Sequence, residues 1–256
     1  MELGIKLFEK FNKNYISSSA LKEALKDVRL FEMYMAGQLK KKSDALMFGS
    51  LYDCLLFTPD DLDKSFFVLD ADFDVEICAE IGGKAPRMTN KYKEWYQSYL
   101  ETAGDKMVVG LDDIQKAIDM IDRLDETGLR DTFLMGEFQK EFTVFMNDWP
   151  VRGFLDVLND NYITDSKSTV SIGGFKRDIF VYNYDLQAYI YSTAFPGRPF
   201  FWVAQEKAYP YLPALVHCSE ETLMSGKRKF ELATSRVLQY LDSNSRTEKF
   251  FAEFTV

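Results

Sequence analysis

The sequence predicts an α/β chain: a mixed sheet flanked by helices, with helical additions at both the N-terminal and C-terminal ends. Three observations predict it. Apolar residues recur at helical spacing up to about residue 130. From residue 132 they alternate at strand spacing, and a last helical stretch begins at Ser219. The 46% hydrophobic and 15% aromatic content of the 256 residues is ample for a sizeable core.

The elements follow in order. Ser17-Ser18-Ser19 offers an N-cap, and Ala20-Leu21 opens a helix expected to reach Met35. A second helix is expected from Ser43 to Phe57, stopped by Pro59. The stretch from Ser65 to Val68 reads as a short strand. Residues 70–90 are acidic and then broken by Gly82-Gly83 and Pro86, so a mobile loop is expected there. Helices follow from Asn90 to Ala103 and from Asp112 to Glu126. Glu137 to Met146 and Val151 to Leu158 read as strands, Asn159-Asp160-Asn161 as a turn, and Tyr162 to Thr169 as a third strand. A helix from Asn183 to Phe195 precedes strands at Phe200 to Glu206 and Leu212 to His217. Ser219 caps the final helix, whose first-turn Glu220 and Glu221 suit the helix dipole. One domain over 1–256 is expected, with a mainly helical part (1–130), a sheet core (131–218) and a C-terminal helix (219–256).

Composition narrows the function. No apolar run approaches the roughly 20 residues that span a bilayer, and the N-terminus lacks a signal-peptide stretch. A cytoplasmic protein without a membrane partner is expected. Cys54, Cys78 and Cys218 are scattered, which disfavours a disulfide framework, a metal clip or an iron–sulfur cluster. There is no glycine-rich phosphate loop and no dinucleotide fingerprint. The net charge of −9 is unusual for a DNA-binding chain. Residues 58–80 alone carry −7, however, leaving −2 for the rest. Positive charge gathers at Lys40-Lys41-Lys42 and at Lys227-Arg228-Lys229.

Asp165-Ser166-Lys167 is the only place where an acid stands two residues before a lysine, despite 40 acidic residues. On a strand, Asp165 and Lys167 share a face and Ser166 takes the other. Asp156 lies nine residues earlier across a tight turn, so hairpin pairing can bring its carboxylate beside Asp165. Two carboxylates and an ammonium suit phosphodiester hydrolysis. The acids offer hard oxygen ligands to Mg²⁺ or Mn²⁺, and the lysine can orient water and stabilise developing charge.

These residues also carry a resemblance. Gly153-Phe154-Leu155-Asp156 followed by Asp165-Ser166-Lys167-Ser168-Thr169 resembles the G-x-x-D…D-x-K-[ST]-T core of RecB-like nucleases in the PD-(D/E)XK superfamily. Gln187-Ala188-Tyr189-Ile190-Tyr191 matches the Q-x-x-x-Y motif that follows that core. Ser17 to Leu21, Gly49 to Pro59 and Phe201 to Lys207 are similar to three segments of RecE-type exonucleases of phages and prophages. The resemblance implies a restriction-endonuclease-like core and one or two Mg²⁺ or Mn²⁺ ions. It implies ligation by Asp53, Asp156, Asp165 and the backbone around Ser166, whose carbonyl faces the ions. Lys167 is then expected to position water, and Gln187 and Tyr191 to order the site. Ser17, Ser19, Ser168 and Thr169 are expected to contact DNA phosphates.

Asp53 departs from the pattern, because RecE-type enzymes usually place a histidine there. The only histidine, His217, stands beside Cys218 and is expected to be structural. The resemblance further implies 5′→3′ digestion of linear double-stranded DNA ends, a ring-shaped homo-oligomer and a single-strand annealing partner in phage recombination. An endonuclease or flap-processing activity on the same core, or a catalytically idle DNA-binding subunit, remain the alternatives.

Overall fold

The computed structural model describes residues 2–39, 43–69 and 71–242. The Lys40-Lys41-Lys42 cluster and the last part of the expected C-terminal helix lie outside the described residues. Helix α1 (Glu2–Phe11), which sequence reading left out, precedes α2 (Ser18–Lys26) and α3 (Val28–Met35). The single helix expected from Ala20 to Met35 is broken at Asp27, whose backbone is extended at φ −161° and ψ 136°. The cause is local: the Asp27 carboxylate accepts from the Arg29 amide at 2.8 Å and so caps α3. Helix α4 (Asp44–Phe57) starts where Ser43 accepts from the Leu46 amide at 3.2 Å. It is buried on most sides, through Phe48, Leu51, Tyr52, Leu56 and Phe57.

A short α5 (Leu62–Ser65) and strand β1 (Phe66–Val68) follow, then α6 (Ala71–Ile81), α7 (Asn90–Glu101) and strand β2 (Met107–Val109). The loop expected over 70–90 is corrected, because α6 fills its first half. The acidic run there is a helix tied to its neighbours. Asp74 accepts from the Tyr92 hydroxyl and from Arg87, and Glu80 pairs with Lys91 at 2.7 Å. Gly82 and Gly83, at φ +69° and +84°, adopt backbone that other residues avoid, and they end the helix. Strand β2, also unforeseen, pairs parallel with β1. Helix α8 (Leu111–Thr127) leads through Gly128 to a five-residue α9 (Leu129–Phe133).

The main sheet holds β3 (Glu137–Met146), β4 (Trp149–Leu158), β5 (Ile163–Thr169), β6 (Phe200–Glu206) and β7 (Pro213–His217), adjacent in that order. Asn147 and Asp148, both at positive φ, make the two-residue turn between β3 and β4. Pairing is antiparallel except between β5 and β6, which run parallel. Their crossover carries α10 (Ile172–Val181), not expected from sequence, and α11 (Tyr184–Ala194). Helix α12 (Glu220–Asp242) closes the described chain. One core joins the sheet to α2, α11 and α12 through Leu21, Leu186, Trp202 and Phe230. A second joins it to α4 and α8 through Leu51, Met120, Leu124, Val157 and Val203. Among the described residues no helix is long and apolar enough to cross a membrane.

Candidate functional site

Strands β4 and β5 part almost as soon as they meet. Only Leu158–Ile163 and Val157–Thr164 pair. Beyond them the Ser166 amide donates to Asp156 Oδ2 at 2.9 Å, so a side chain replaces the missing ladder acceptor. β5 stays paired with β6 from Ile163 to Thr169, so the gap opens on the β4 side alone. Asp165 is buried on the open strand and touches the Lys167 ammonium. Lys167 Nζ also donates to the Ser166 carbonyl at 2.9 Å and lies 4.0 Å from Asp156 Oδ2. The expected juxtaposition of Asp156, Asp165, Lys167 and the Ser166 carbonyl is therefore present.

Helix α11 covers this group. Gln187 Nε2 donates to Asp165 Oδ1 at 2.9 Å and to the Tyr191 hydroxyl at 3.1 Å. Tyr191 in turn donates to the Phe154 carbonyl at 2.7 Å. Gly153 permits this approach, since a Cβ there would lie 2.7 Å from the Phe142 ring and 3.1 Å from the Tyr191 ring. The helix is anchored from behind. Asp185, fully buried, accepts from Lys229 Nζ at 2.8 Å and Ser225 Oγ at 2.7 Å on α12. At Gly226 a Cβ would fall 2.1 Å from the Asp185 carbonyl, so the two helices touch backbone to backbone.

Two site residues escaped sequence reading. The Tyr184 ring lies beneath the ammonium groups of Lys167, 5.4 Å from its centroid, and Lys22, 5.2 Å away. Lys22 also sits 3.5 Å from Gln187 Oε1. Tyr184 stands one helical turn before Gln187, a spacing that could have flagged it. Lys22 belongs to no motif.

Asp53 reaches the group from the opposite layer, on α4. Its neighbour Tyr52 donates to Gln205 Oε1 at 2.6 Å on β6, and Gln205 Nε2 donates to the Met120 and Tyr211 carbonyls at 2.8 and 3.0 Å. This buried polar clamp fixes α4 on the sheet. Burial pushes the Asp53 carboxyl well above its ordinary range, as does the negative charge of Asp156 and Asp165, while Lys167 opposes the rise. Asp156 is likewise pushed up, first by burial and then by Asp165, against Lys167 and the Ser166 amide. Burial works against the Lys167 ammonium, but Asp165, Asp156 and Asp53 hold its pKa above the usual value. The three acids thus share one electrostatic field with Lys167. Among the described residues no group of three His, Cys, Asp or Glu is placed to hold a metal ion.

The expected DNA contacts divide. Ser17 caps α2 by accepting from the Ala20 amide at 3.2 Å. Ser17 and Ser19 also line a cavity of about 400 Å³ with Lys13, Tyr15, Arg152, Phe154 and Tyr191. Arg152 Nη1 donates to the Tyr15 hydroxyl at 3.0 Å, and its guanidinium lies over the Tyr15 and Phe154 rings. Arg152 also pairs with Glu141 at 2.6 Å. Phe154 and Tyr191 belong to both cavity and acid group, so the two adjoin. Ser168 lies elsewhere, against α4, its Oγ 3.8 Å from where a Gly49 Cβ would stand. Thr169 is buried and its hydroxyl bonds within the turn to Ser171, 3.4 Å away. His217 is exposed and edge-on to Phe201 at 4.9 Å. Lys227-Arg228-Lys229 is not one positive face, because Lys229 turns inward to Asp185 and Lys227 lies 4.0 Å from Glu231.

Comparison with known proteins agrees with this architecture. No curated protein matches the chain. A crystal structure from Eubacterium rectale, named provisionally as an exonuclease, matches with a TM-score of 0.66. The match covers 98% of this chain and 93% of that one at 16% identity, which shows a shared fold. The crystal structure of SSO0001 reaches a TM-score of only 0.33 at 16% identity, covering 89% of this chain and 87% of that one, and carries no argument. Residues 17–249 match the family model described as a PDDEXK-like domain of unknown function (DUF3799). With a mixed five-stranded sheet, flanking helices and a family match over nearly its whole length, the chain belongs to this PDDEXK-like family of the PD-(D/E)XK nuclease superfamily.

Proposed function

We propose that the protein is a metal-dependent exodeoxyribonuclease that hydrolyses linear double-stranded DNA from its 5′ ends. The observation that carries this reading is the Tyr191–Gln187–Asp165 chain of hydrogen bonds. It joins a hydroxyl- and cation-lined cavity to a group of two acids and a lysine.

One or two Mg²⁺ or Mn²⁺ ions would be held by Asp156, Asp165, the Ser166 carbonyl and Asp53. The fit is chemical: every donor is a hard oxygen. Asp165 Oδ2, moreover, is buried with no hydrogen-bond partner apart from its ion pair with the Lys167 ammonium. Burial first, and the neighbouring acids after it, push the Asp53 and Asp156 carboxyls up, and a bound cation would oppose both effects. When bound, such a cation supplies positive charge that polarises the phosphodiester.

The chain's own residues do the rest. Lys167, kept charged by its neighbours, orients the attacking water and donates toward charge developing on the phosphate. Gln187 fixes the Asp165 carboxylate, and Tyr191 fixes Gln187. Ser17, Ser19, Lys13 and Arg152 seat the terminal phosphate, with Ser168 contacting the strand further along. Thr169, committed to its own turn, is left out of this role. A ring-shaped oligomer and a single-strand annealing partner rest on the sequence resemblance, and a cytoplasmic setting on composition; all three extend the same proposal.

The test is incubation with linear and closed-circular duplex DNA, in Mg²⁺ and in chelator. Loss of linear DNA only, and only with Mg²⁺, is the expected result. Cutting of circles would indicate an endonuclease on the same core, and inertness on both would overturn the reading.

A further inference from the structure

A second cavity, of about 350 Å³, lies outside the acid group and against α7. Tyr92, Trp95, Tyr96 and Tyr99 line it from a single helix face. Trp95 stacks on Tyr99 at 5.4 Å with ring planes 7° apart, and Tyr92 stacks on Tyr96 at 5.9 Å and 11°. The Phe67 ring meets Tyr99 edge-on at 5.4 Å, while Trp95 and Tyr96 are only half-buried and leave ring area open. Asp74 is already bound by Arg87 and Tyr92, and Glu80 by Lys91. The helix interleaves its aromatics with Lys91 and Lys93.

The cavity has a route to the acid group. Asp112, at its edge, opens α8; one turn later Lys116 lies over the Phe48 ring at 4.9 Å, beside Gly49, which faces Ser168 on β5. Lys207, whose amide donates to the Thr169 carbonyl at 2.9 Å, stands at the residue that follows Ser168; burial lowers its pKa, and the positive charge of Lys116 lowers it further. Neither lysine is in an ion pair among the described residues. Two neighbouring ammonium groups outside any ion pair suit a phosphate backbone. The half-open rings of Trp95 and Tyr96 suit bases, because every base offers a π-face.

We infer that the α7 cavity stacks nucleobases of single-stranded DNA whose phosphates run past Lys207 and Lys116 from the cleavage site. The strand left single by digestion of its complement is the matching ligand. This inference rests on the reading of the site as a DNA nuclease.

Intrinsic fluorescence reads it directly. Of the three tryptophans, Trp149 and Trp202 are buried and Trp95 alone lies in the cavity. The full chain carrying Lys167→Ala would be titrated with single-stranded oligothymidylate in chelator. Saturable, salt-sensitive quenching is expected. Tyr96→Ala should weaken binding about tenfold, Tyr96→Phe should retain it, and Lys116→Ala should lower the salt slope by about one. Tyr96→Ala should still digest a short blunt duplex.

Absence of quenching, or equal affinity in Tyr96→Ala that melts like the parent, would overturn the inference. So would quenching by an oligo-arginine peptide but not by the oligonucleotide, which would make the cavity a basic-peptide site. Binding is read without cleavage, so failure of the nuclease reading would show separately, in the Mg²⁺ digest.

Discussion

Asp156 Oδ2 accepts the Ser166 backbone amide at 2.9 Å at the point where β4 and β5 separate. One carboxylate thus both satisfies a strand amide and fronts the opening. The bond is one the backbone needs in any case, and it opposes the rise that burial and Asp165 impose on this carboxyl. The orientation of Asp156 is therefore set by the sheet before any ligand arrives.

Lys167→Ala should abolish hydrolysis while leaving DNA binding largely intact. Removing one donor aimed at transition-state charge costs about 100-fold to 1,000-fold in turnover. Single-turnover digestion of linear duplex, alongside a binding titration in chelator, measures both. A folded variant keeping a tenth of parental turnover contradicts the assigned role.

Asp53→Asn keeps the shape of the side chain and removes its charge. Calorimetric titration should show weaker Mg²⁺ or Mn²⁺ binding, with activity falling in parallel. Asp53→His should recover a working site with altered metal preference. Undiminished affinity and activity in Asp53→Asn would mean that the two strand acids suffice.

The raised carboxyls of Asp53 and Asp156 set a sign for pH dependence. An acid whose folded pKa exceeds its unfolded value binds more protons when folded. Stability of the metal-free protein should therefore fall as pH rises from about 4 through the raised values. Lys167, raised from a value near 10.5, stays charged throughout and adds no slope in that window. Melting temperature in chelator should drop between about pH 5 and pH 8, less steeply in Asp53→Asn, and Mg²⁺ should flatten it. A slope unchanged by both Asp53→Asn and Mg²⁺ would refute this origin.

Gly153→Ala should destabilise the fold by about 1–3 kcal/mol, because the added methyl overlaps the Phe142 ring. It should also depress activity beyond the loss of folded protein, by moving Tyr191 and through it Gln187. Activity per folded molecule, from denaturant melts and initial rates together, separates the two effects.

A 5′-phosphorylated linear duplex should be digested faster than its dephosphorylated twin, and Arg152→Ala should erase the difference. End-labelled substrates decide it. Label released first from the 3′ end would reverse the assigned polarity.

The sheet was legible because its chemistry is local. Asp165-Ser166-Lys167 announces itself by spacing, and the β4–β5 turn by Asn159-Asp160-Asn161. Gln187 and Tyr191 were found by motif, and structure adds that one binds Asp165 directly. What stayed hidden depends on partners distant in sequence. The α6 helix looked like a loop because its acids read as solvent-facing, whereas Asp74 and Glu80 are tied to residues 11 to 18 positions on. Tyr52 and Gln205, 153 residues apart, carry no motif and meet only in the fold. The break at Asp27 was readable in principle, since an Asp before a helical run is a capping signal.

The Asp185 pairing bears on when this protein can act during its own synthesis. A ribosome delivers Asp185 about 40 residues before Ser225 and Lys229, seconds earlier at ordinary rates of elongation. Until they emerge, the Asp185 carboxylate stands on the side of α11 that α12 will cover, and seating α12 without Lys229 would bury it without its cation, at a cost of about 3–5 kcal/mol. The helix that presents Gln187 and Tyr191 thus gains its backing only when α12 has formed, so a chain cut before Ser225 should hold both side chains less firmly.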